Sequence, residues 1–331
     1  MTKRFQVVGI GNALVDILCH VDDAFLEEID VIKGVMQLVD RGRASAIYER
    51  MGPAREISGG SAANTIAGIA ALGGRTAYVG KVRDDQFGRI FAHDLRAQGA
   101  VYETPAAPAD TAEETGRCMV LVTPDGERTM NTYLGVSEHL CPGDIDEAMM
   151  ADAEWIYLEG YRFDGPENHE AFDKAIRAAK GAGGKVSLTL SDPFCVDRHR
   201  AAFLAMIRRD VDLLFCNRDE ILSLYETDSL DEALARGGQD VGILVVTDSD
   251  KGAYVIEDGA FTHVPTRPAR VVDATGAGDL FAAGFLWGFT HGHDSATAAR
   301  MGNIAAAEII GHIGARPEVD LARLFSEAGL I

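Results

Sequence analysis

The sequence predicts an α/β protein: a mainly parallel central sheet flanked by helices, with a small second β-sheet set against it. Two observations carry this. Short apolar runs rich in β-branched residues alternate with longer amphipathic segments, the pattern of βαβ units. Two separated regions then break that rhythm with further β-like stretches and turns.

The predicted strands of the main sheet are FQVVGIG at 5–11, TAYVGKV at 76–82, WIYLEG at 155–160, KVSLTLS at 185–191, DLLFCN at 212–217 and GILVVTD at 242–248. Helix-like stretches separate them: AANTIAGIAALG, QFGRIFAHDLRAQG, NHEAFDKAIRAAKGAG and RHRAAFLAMIRR. Several run into glycine, as helix C-termini do. Two long Ala-rich helices, AGDLFAAGFLWGFTHG and DSATAARMGNIAAAEIIGHIG, mark the last quarter. The breaks in rhythm fall at 17–57 and 101–137, where Pro124-Asp125-Gly126 reads as a hairpin turn between alternating strands. These segments are expected to form a lid over the mouth of a main domain made of 1–16, 58–100 and 138–331.

The chain has 331 residues, enough to bury a sizeable core, and carries 51 acidic against 31 basic side chains for a formal charge of −20. That surface repels phosphate backbones, so no nucleic-acid partner is expected. The five cysteines, at 19, 118, 141, 195 and 216, are widely spaced with no Cys-x-x-Cys, which argues against a disulfide framework or a structural zinc and fits a reducing cytoplasm. Asn12 and Asp16 interrupt the apolar run near the start, so it reads as a first strand and not a signal peptide. No apolar stretch approaches the roughly 18 residues of a membrane span.

The glycine-rich stretches fail the common nucleotide motifs. GAGGKVS at 181–187 lacks the Walker A spacing and reads as a helix end leading into a strand; GIGNAL and GAGDLF both lack the third glycine of a dinucleotide fingerprint. Gly276-Ala277-Gly278 before Asp279 has its own physical use. Small residues let backbone N–H groups converge at a helix N-terminus carrying about half a positive charge, which suits a phosphate. Asp279, in the first turn, is then placed to take a proton from an attacking hydroxyl. The bland alternative is an Asp that only complements the helix dipole.

ISGGSAANTIAGIAALGG puts Gly59 and Gly60 before a helix and Asn64 in its first turn, which suits a polyhydroxylated ligand. In CNRDE, Asn217 and Glu220 follow a strand end, where open α/β sheets bind ligands, and offer oxygens to magnesium or its water shell. An Asn there is also a common helix cap.

Together and in order, GNALVDI, GGSAANTIAGIAALG, NRDE, TDSDKGAYV and DATGAGDLFAAGFL resemble the ribokinase-like, or pfkB, carbohydrate kinases over nearly the whole chain. The resemblance implies a main α/β domain with a β lid, and ATP- and Mg²⁺-dependent phosphorylation of a sugar or nucleoside hydroxyl. It implies Asp279 as base and Gly276, Ala277 and Gly278 as anion hole. Asp16, Gly59, Gly60 and Asn64, with Asn12 nearby, match substrate positions; Asn217 and Glu220 match the magnesium and phosphate element; Thr247, Gly252 and Asn303 match nucleotide-side positions. It also implies a small-molecule substrate, no membrane partner, and a monomer or a homodimer through the lid.

Three positions depart from the family pattern: Ala274 replaces a hydroxyl or proline, Arg83 a glycine, and Ile66 a small residue. Asn12 and the DDAFLEEIDVIKGVMQLVD segment resemble the adenosine kinase branch, so adenosine is the expected acceptor. The alternatives are a sugar, as in fructokinase, ribokinase or 2-keto-3-deoxygluconate kinase types, or a non-catalytic ligand-binding regulator. His291-Gly292-His293-Asp294 reads as an inter-helix loop, Trp155 and Trp287 as core, and Phe281, Phe285 and Phe289 as a buried helix stripe.

Overall fold

A computed structural model describes residues 2–165 and 168–331. Its strands, in chain order, are β1 (Phe5–Ile10), β2 (Leu14–His20), β3 (Met36–Leu38), β4 (Arg55–Gly59), β5 (Thr76–Val79), β6 (Val101–Tyr102) and β7 (Gly116–Val122). There follow β8 (Arg128–Tyr133), β9 (Ala153–Glu159), β10 (Lys185–Thr189), β11 (Leu213–Asn217), β12 (Ile243–Thr247), β13 (Ala253–Glu257) and β14 (Ala260–Val264). The large sheet runs β14-β13-β12-β11-β10-β9-β1-β5-β6, parallel except for the β12-β13-β14 meander at one edge.

Its inner strands are largely apolar because both faces are covered, whereas the edge strand β14 is mostly exposed. Val7 faces the core beneath the Ser61–Ala71, Ala277–Thr290 and Ser295–Ile309 helices. The next residue, Val8, faces the opposite core under the Asn168–Gly181 and Pro193–Asp210 helices. Phe281, Phe285 and Phe289 stack in succession at 6.4 and 5.7 Å between ring centres, and Trp155 and Trp287 are buried. Lys185, after the Gly181 helix end, opens β10 as the sequence predicts.

The second sheet is five-stranded, β3-β8-β7-β2-β4. Only Gly11, Asn12 and Ala13 separate β1 from β2, so the chain passes directly from one sheet to the other. The predicted hairpin turn joins antiparallel β7 and β8, with Gly126 at φ +83° and its N–H on the Thr123 carbonyl at 2.8 Å.

The second sheet draws its strands from 14–59 and 116–133, within a few residues of the approximate segment 17–57 and inside 101–137. Asp16 therefore sits within a strand of this sheet, and β4 runs on to Gly59. Val101–Tyr102 instead pairs with β5 at the edge of the large sheet, because the Tyr102 ring packs against Tyr78 and Phe91 in the main core. After β8 the chain leaves the sheet in a 3₁₀ turn at Gly135–His139. Among the described residues no helix is long and apolar enough to cross a membrane.

Candidate active site

The C-terminal ends of the parallel strands and the inner face of the second sheet enclose a cavity of about 480 Å³. Asn12, Asp16, Gly60, Asn64, Asn217, Glu220, Thr247, Gly276, Ala277, Gly278 and Asp279 all line it. Gly59, Gly252 and Asn303 do not.

Two helix N-termini meet at its floor. Gly68 lets the Ser61–Ala71 helix close on the Ala277–Thr290 helix: a Cβ there would lie 2.8 Å from both Ala283 and Leu280. That approach brings Ser61 and Asn64 onto Asp279. Ser61 Oγ donates to Asp279 Oδ1 at 2.7 Å and Asn64 Nδ2 donates to Oδ2 at 2.9 Å. Burial pushes the Asp279 carboxyl up to about 6, against the pull of these two hydrogen bonds and of the Arg316 charge. Such a carboxylate is ionised at neutral pH yet holds a proton better than an ordinary aspartate.

Gly276 caps this helix in the left-handed region, φ +76°, which a side chain rarely adopts. Ala277 turns its N–H back onto the Ala274 carbonyl at 3.2 Å. The N–H groups of Gly278 and Asp279 have no such acceptor and remain available at the helix N-terminus. Apart from its chain neighbours and its own helix backbone, no described residue comes within 4 Å of where a Gly278 Cβ would stand, and Gly278 lines the cavity.

Asp16 projects from β2 with no side-chain hydrogen bond or ion pair to another described residue. Burial pushes it up to about 6, partly offset by the charges of Arg316 and Arg128 and reinforced by those of Asp279 and Asp273. Gly59, opposite on β4, leaves room for this carboxylate, which any Cβ at 59 would strike. Gly60, at φ +95°, brings its own backbone against the Asn12 carbonyl.

Other predicted positions are more occupied. Asn64 gives its amide nitrogen to Asp279 and its oxygen to Arg316, so it serves the carboxylate before any substrate hydroxyl. Asn12 accepts from Arg162 Nη1 at 3.0 Å, and its backbone N–H donates to Glu159 at 3.2 Å. Asn217 and Glu220 form a reciprocal cap on the Arg218–Tyr225 helix: Glu220 N–H donates to Asn217 Oδ1 at 2.8 Å, and Asn217 N–H to Glu220 Oε2 at 2.8 Å. Burial pushes the Glu220 carboxyl up to about 8.

Gly252 closes the β12–β13 turn at φ +91°, and Asn303 Nδ2 donates to the Val264 carbonyl at 3.0 Å. Both pack against the Val264–Pro265 backbone, and neither lines the cavity. Of the three departures, Ala274 lies in the cavity lining. Ile66 packs onto the bare Cα of Gly9, which accounts for the first glycine of GIGNAL. Arg83 ties Asp85 at 2.9 Å and the Thr111 carbonyl at 3.0 Å, away from the cavity.

Three charged residues escape motif reading. Arg128, on β8, reaches into the cavity and pairs with buried Asp273, whose carboxylate also accepts from Thr275 N–H at 2.9 Å and Gly314 N–H at 2.8 Å. Glu159, at the end of β9, accepts from Ala62 N–H at 2.8 Å and is pushed up to about 7 by burial. Arg316 joins Asn64 to Ser58. A charged residue ending an apolar strand is a signal that would have found Glu159, and the inward side of an alternating strand would have found Arg128. Arg316 has no such signal.

Comparison with known proteins bears on the fold and family. The pfkB family carbohydrate kinase pattern matches residues 43–321. A probable sugar kinase of Rhizobium etli CFN 42 superposes with a TM-score of 0.94 at 47% identity, covering 99% of this chain and 100% of that one. An adenosine kinase from Sinorhizobium meliloti gives 0.93 at 47% identity, covering 98% and 99%. A curated fructokinase of Klebsiella pneumoniae is 30% identical over 76% of this chain and 84% of its own length. With motifs, fold and cavity in agreement, the chain belongs to the pfkB family of carbohydrate kinases, enzymes that use ATP to phosphorylate a sugar or nucleoside hydroxyl.

Proposed function

We propose that the enzyme phosphorylates the primary hydroxyl of a nucleoside, with adenosine the leading acceptor. The observation that carries this is the cavity's mixed lining. Beside the polar set Asp16, Asn12 and Asp279, the second sheet presents Leu14, Met36, Leu38, Cys118 and Met130. A polyhydroxylated ring uses the polar groups alone, whereas a nucleoside also buries an apolar base face against the aliphatic and sulfur side chains. The structural likeness to an adenosine kinase at 47% identity supports the same reading.

Asp16 accepts hydrogen bonds from neighbouring ribose hydroxyls and orients the acceptor. Asp279 takes the proton of the attacking hydroxyl as its oxygen bonds to the γ-phosphorus and the bond to the departing ADP oxygen breaks. The free N–H groups of Gly278 and Asp279 stabilise the charge on the transferred phosphoryl group, and Arg128 adds a positive charge from the second sheet. That sheet acts as a lid excluding water.

Magnesium fits the donor set through its water shell. Among the described residues no group of three or more His, Cys, Asp or Glu forms a metal cage. The buried Glu220 carboxyl at the cavity wall, pushed up to about 8 with Asn217 beside it, is the group a hydrated divalent cation would help to ionise, and Mg²⁺ characteristically keeps several waters. When bound, it neutralises the phosphate charge of ATP.

The test is kcat/KM for adenosine, D-ribose, D-fructose and 2-keto-3-deoxygluconate with ATP and Mg²⁺. Adenosine is expected to lead with AMP as product; a tenfold or larger preference for any free sugar would overturn the nucleoside reading.

A further inference from the structure

We infer that Arg316 is a positioning residue for the catalytic carboxylate: its guanidinium fixes the amide of Asn64 so that the Asn64 NH₂ group faces Asp279, and its charge serves Asp16 and Asp279 together. This rests on the reading of Asp279 as base and adds a residue that the family motifs do not contain.

The geometry is a relay. Arg316 Nη1 donates to Asn64 Oδ1, while Nη2 donates to the Ser58 carbonyl at 2.8 Å and to Ser58 Oγ at 3.1 Å. With its oxygen held by a cation, the Asn64 amide has one orientation left, and Nδ2 points to Asp279 Oδ2 at 2.9 Å. The guanidinium is thus gripped by the last strand of the second sheet on one side and by the Ser61–Ala71 helix on the other. The fork geometry of arginine makes these bonds simultaneously; a lysine ammonium would supply the charge without the two-armed grip.

The charges around it support the second half of the inference. Asp16, Asp279 and Asp94 face Arg316, with the Tyr78 hydroxyl nearby. Asp16 also feels Arg128 and Asp273, and the Asp279 charge in turn reaches Asp16, Glu159 and Glu220. Arg316 is the cation that acts on both Asp16 and Asp279, and it lowers the proton affinity of each against the burial that raises it.

The experiment is kcat/KM against pH for the parent, Arg316→Met and Arg316→Lys, using whichever of adenosine, D-ribose and D-fructose the parent phosphorylates best. Removing a positive charge raises the pKa of a carboxylate, so Arg316→Met should move the acid limb up by about one pH unit and lower the alkaline plateau as well. Arg316→Lys keeps the charge and loses the fork, so its limb should stay in place while its plateau falls about tenfold. A Met variant with the parent's limb, or one that loses the same factor at every pH, contradicts the inference. So does a Lys variant with a full plateau, a result that remains readable should Met fail to fold. Failure of the base reading looks different: Asp279→Asn would then retain activity, whereas failure of the present inference leaves Asp279→Asn inactive.

Discussion

Asp16 and Asp279 are both held up near 6 by burial, yet their surroundings differ. Asp279 is tied by Ser61 and Asn64, whereas Asp16 has no hydrogen bond to another described side chain. A carboxylate left unpartnered in a cavity is disfavoured there unless a ligand completes it. Charge-assisted hydrogen bonds are worth about 1.5–3 kcal/mol each, so Asp16→Ala should weaken acceptor binding by roughly one to several orders of magnitude. Calorimetric titration should find ATP affinity unchanged. Thermal stability should not fall, since a carboxylate with a raised pKa is ionised at a cost above about pH 6. If acceptor affinity survived, Asp16 would hold no hydroxyl. Asp279 and Asp16 were legible because each sits in a dense local motif. Arg316 was not, because it meets Asn64 across 252 positions of sequence and nothing local to 316 marks that partner.

At the level of elements, the site is made where helix N-termini and strand ends converge, and small residues decide how closely. Gly68 sets the distance between two helices, Gly59 admits the Asp16 carboxylate, and Gly276 turns the chain into the helix that carries Asp279. Gly278 differs from these. Its φ is ordinary and no described residue beyond its own helix backbone would meet its Cβ, so a side chain fits the fold but occupies the space beside the free amides. Gly278→Val should therefore melt within a few degrees of the parent while kcat falls about 10²–10³-fold, the loss expected when an anion-stabilising donor is obstructed. Near-parent turnover would remove the helix N-terminus from the chemistry.

The six predicted strands of the large sheet all form, because continuous apolar runs identify strands buried on both faces. The borders of the second sheet shifted for a reason that periodicity does not carry. Val101–Tyr102 alternates like a lid strand, but an aromatic contact with Tyr78 and Phe91 draws it to the main core. The two-fold use of Asn217 and Glu220 was likewise hidden. The same spacing that offers oxygens to a cation is that of a reciprocal helix cap, and the structure joins the two side chains at 2.7 Å.

For the whole molecule, a formal charge of −20 surrounds a cavity that must receive polyphosphate, so the local positive potential has to be built. Here it comes from helix-terminal amides, from Arg128 on the second sheet and from Arg316 beneath it. In the proposed mechanism, closing the two sheets on the cavity concentrates these sources and removes water, and turnover then depends on the Asp279 carboxylate. With Asp279 near 6, the acid limb of the parent's rate should lie close to that pH, activity falling as the carboxylate takes up its proton. The most direct measurement is kcat of Asp279→Asn, alongside its thermal midpoint and ATP affinity. Loss of about 10²–10⁴-fold in rate is predicted, with fold and ATP binding kept; turnover close to the parent's would show that Asp279 is not the base.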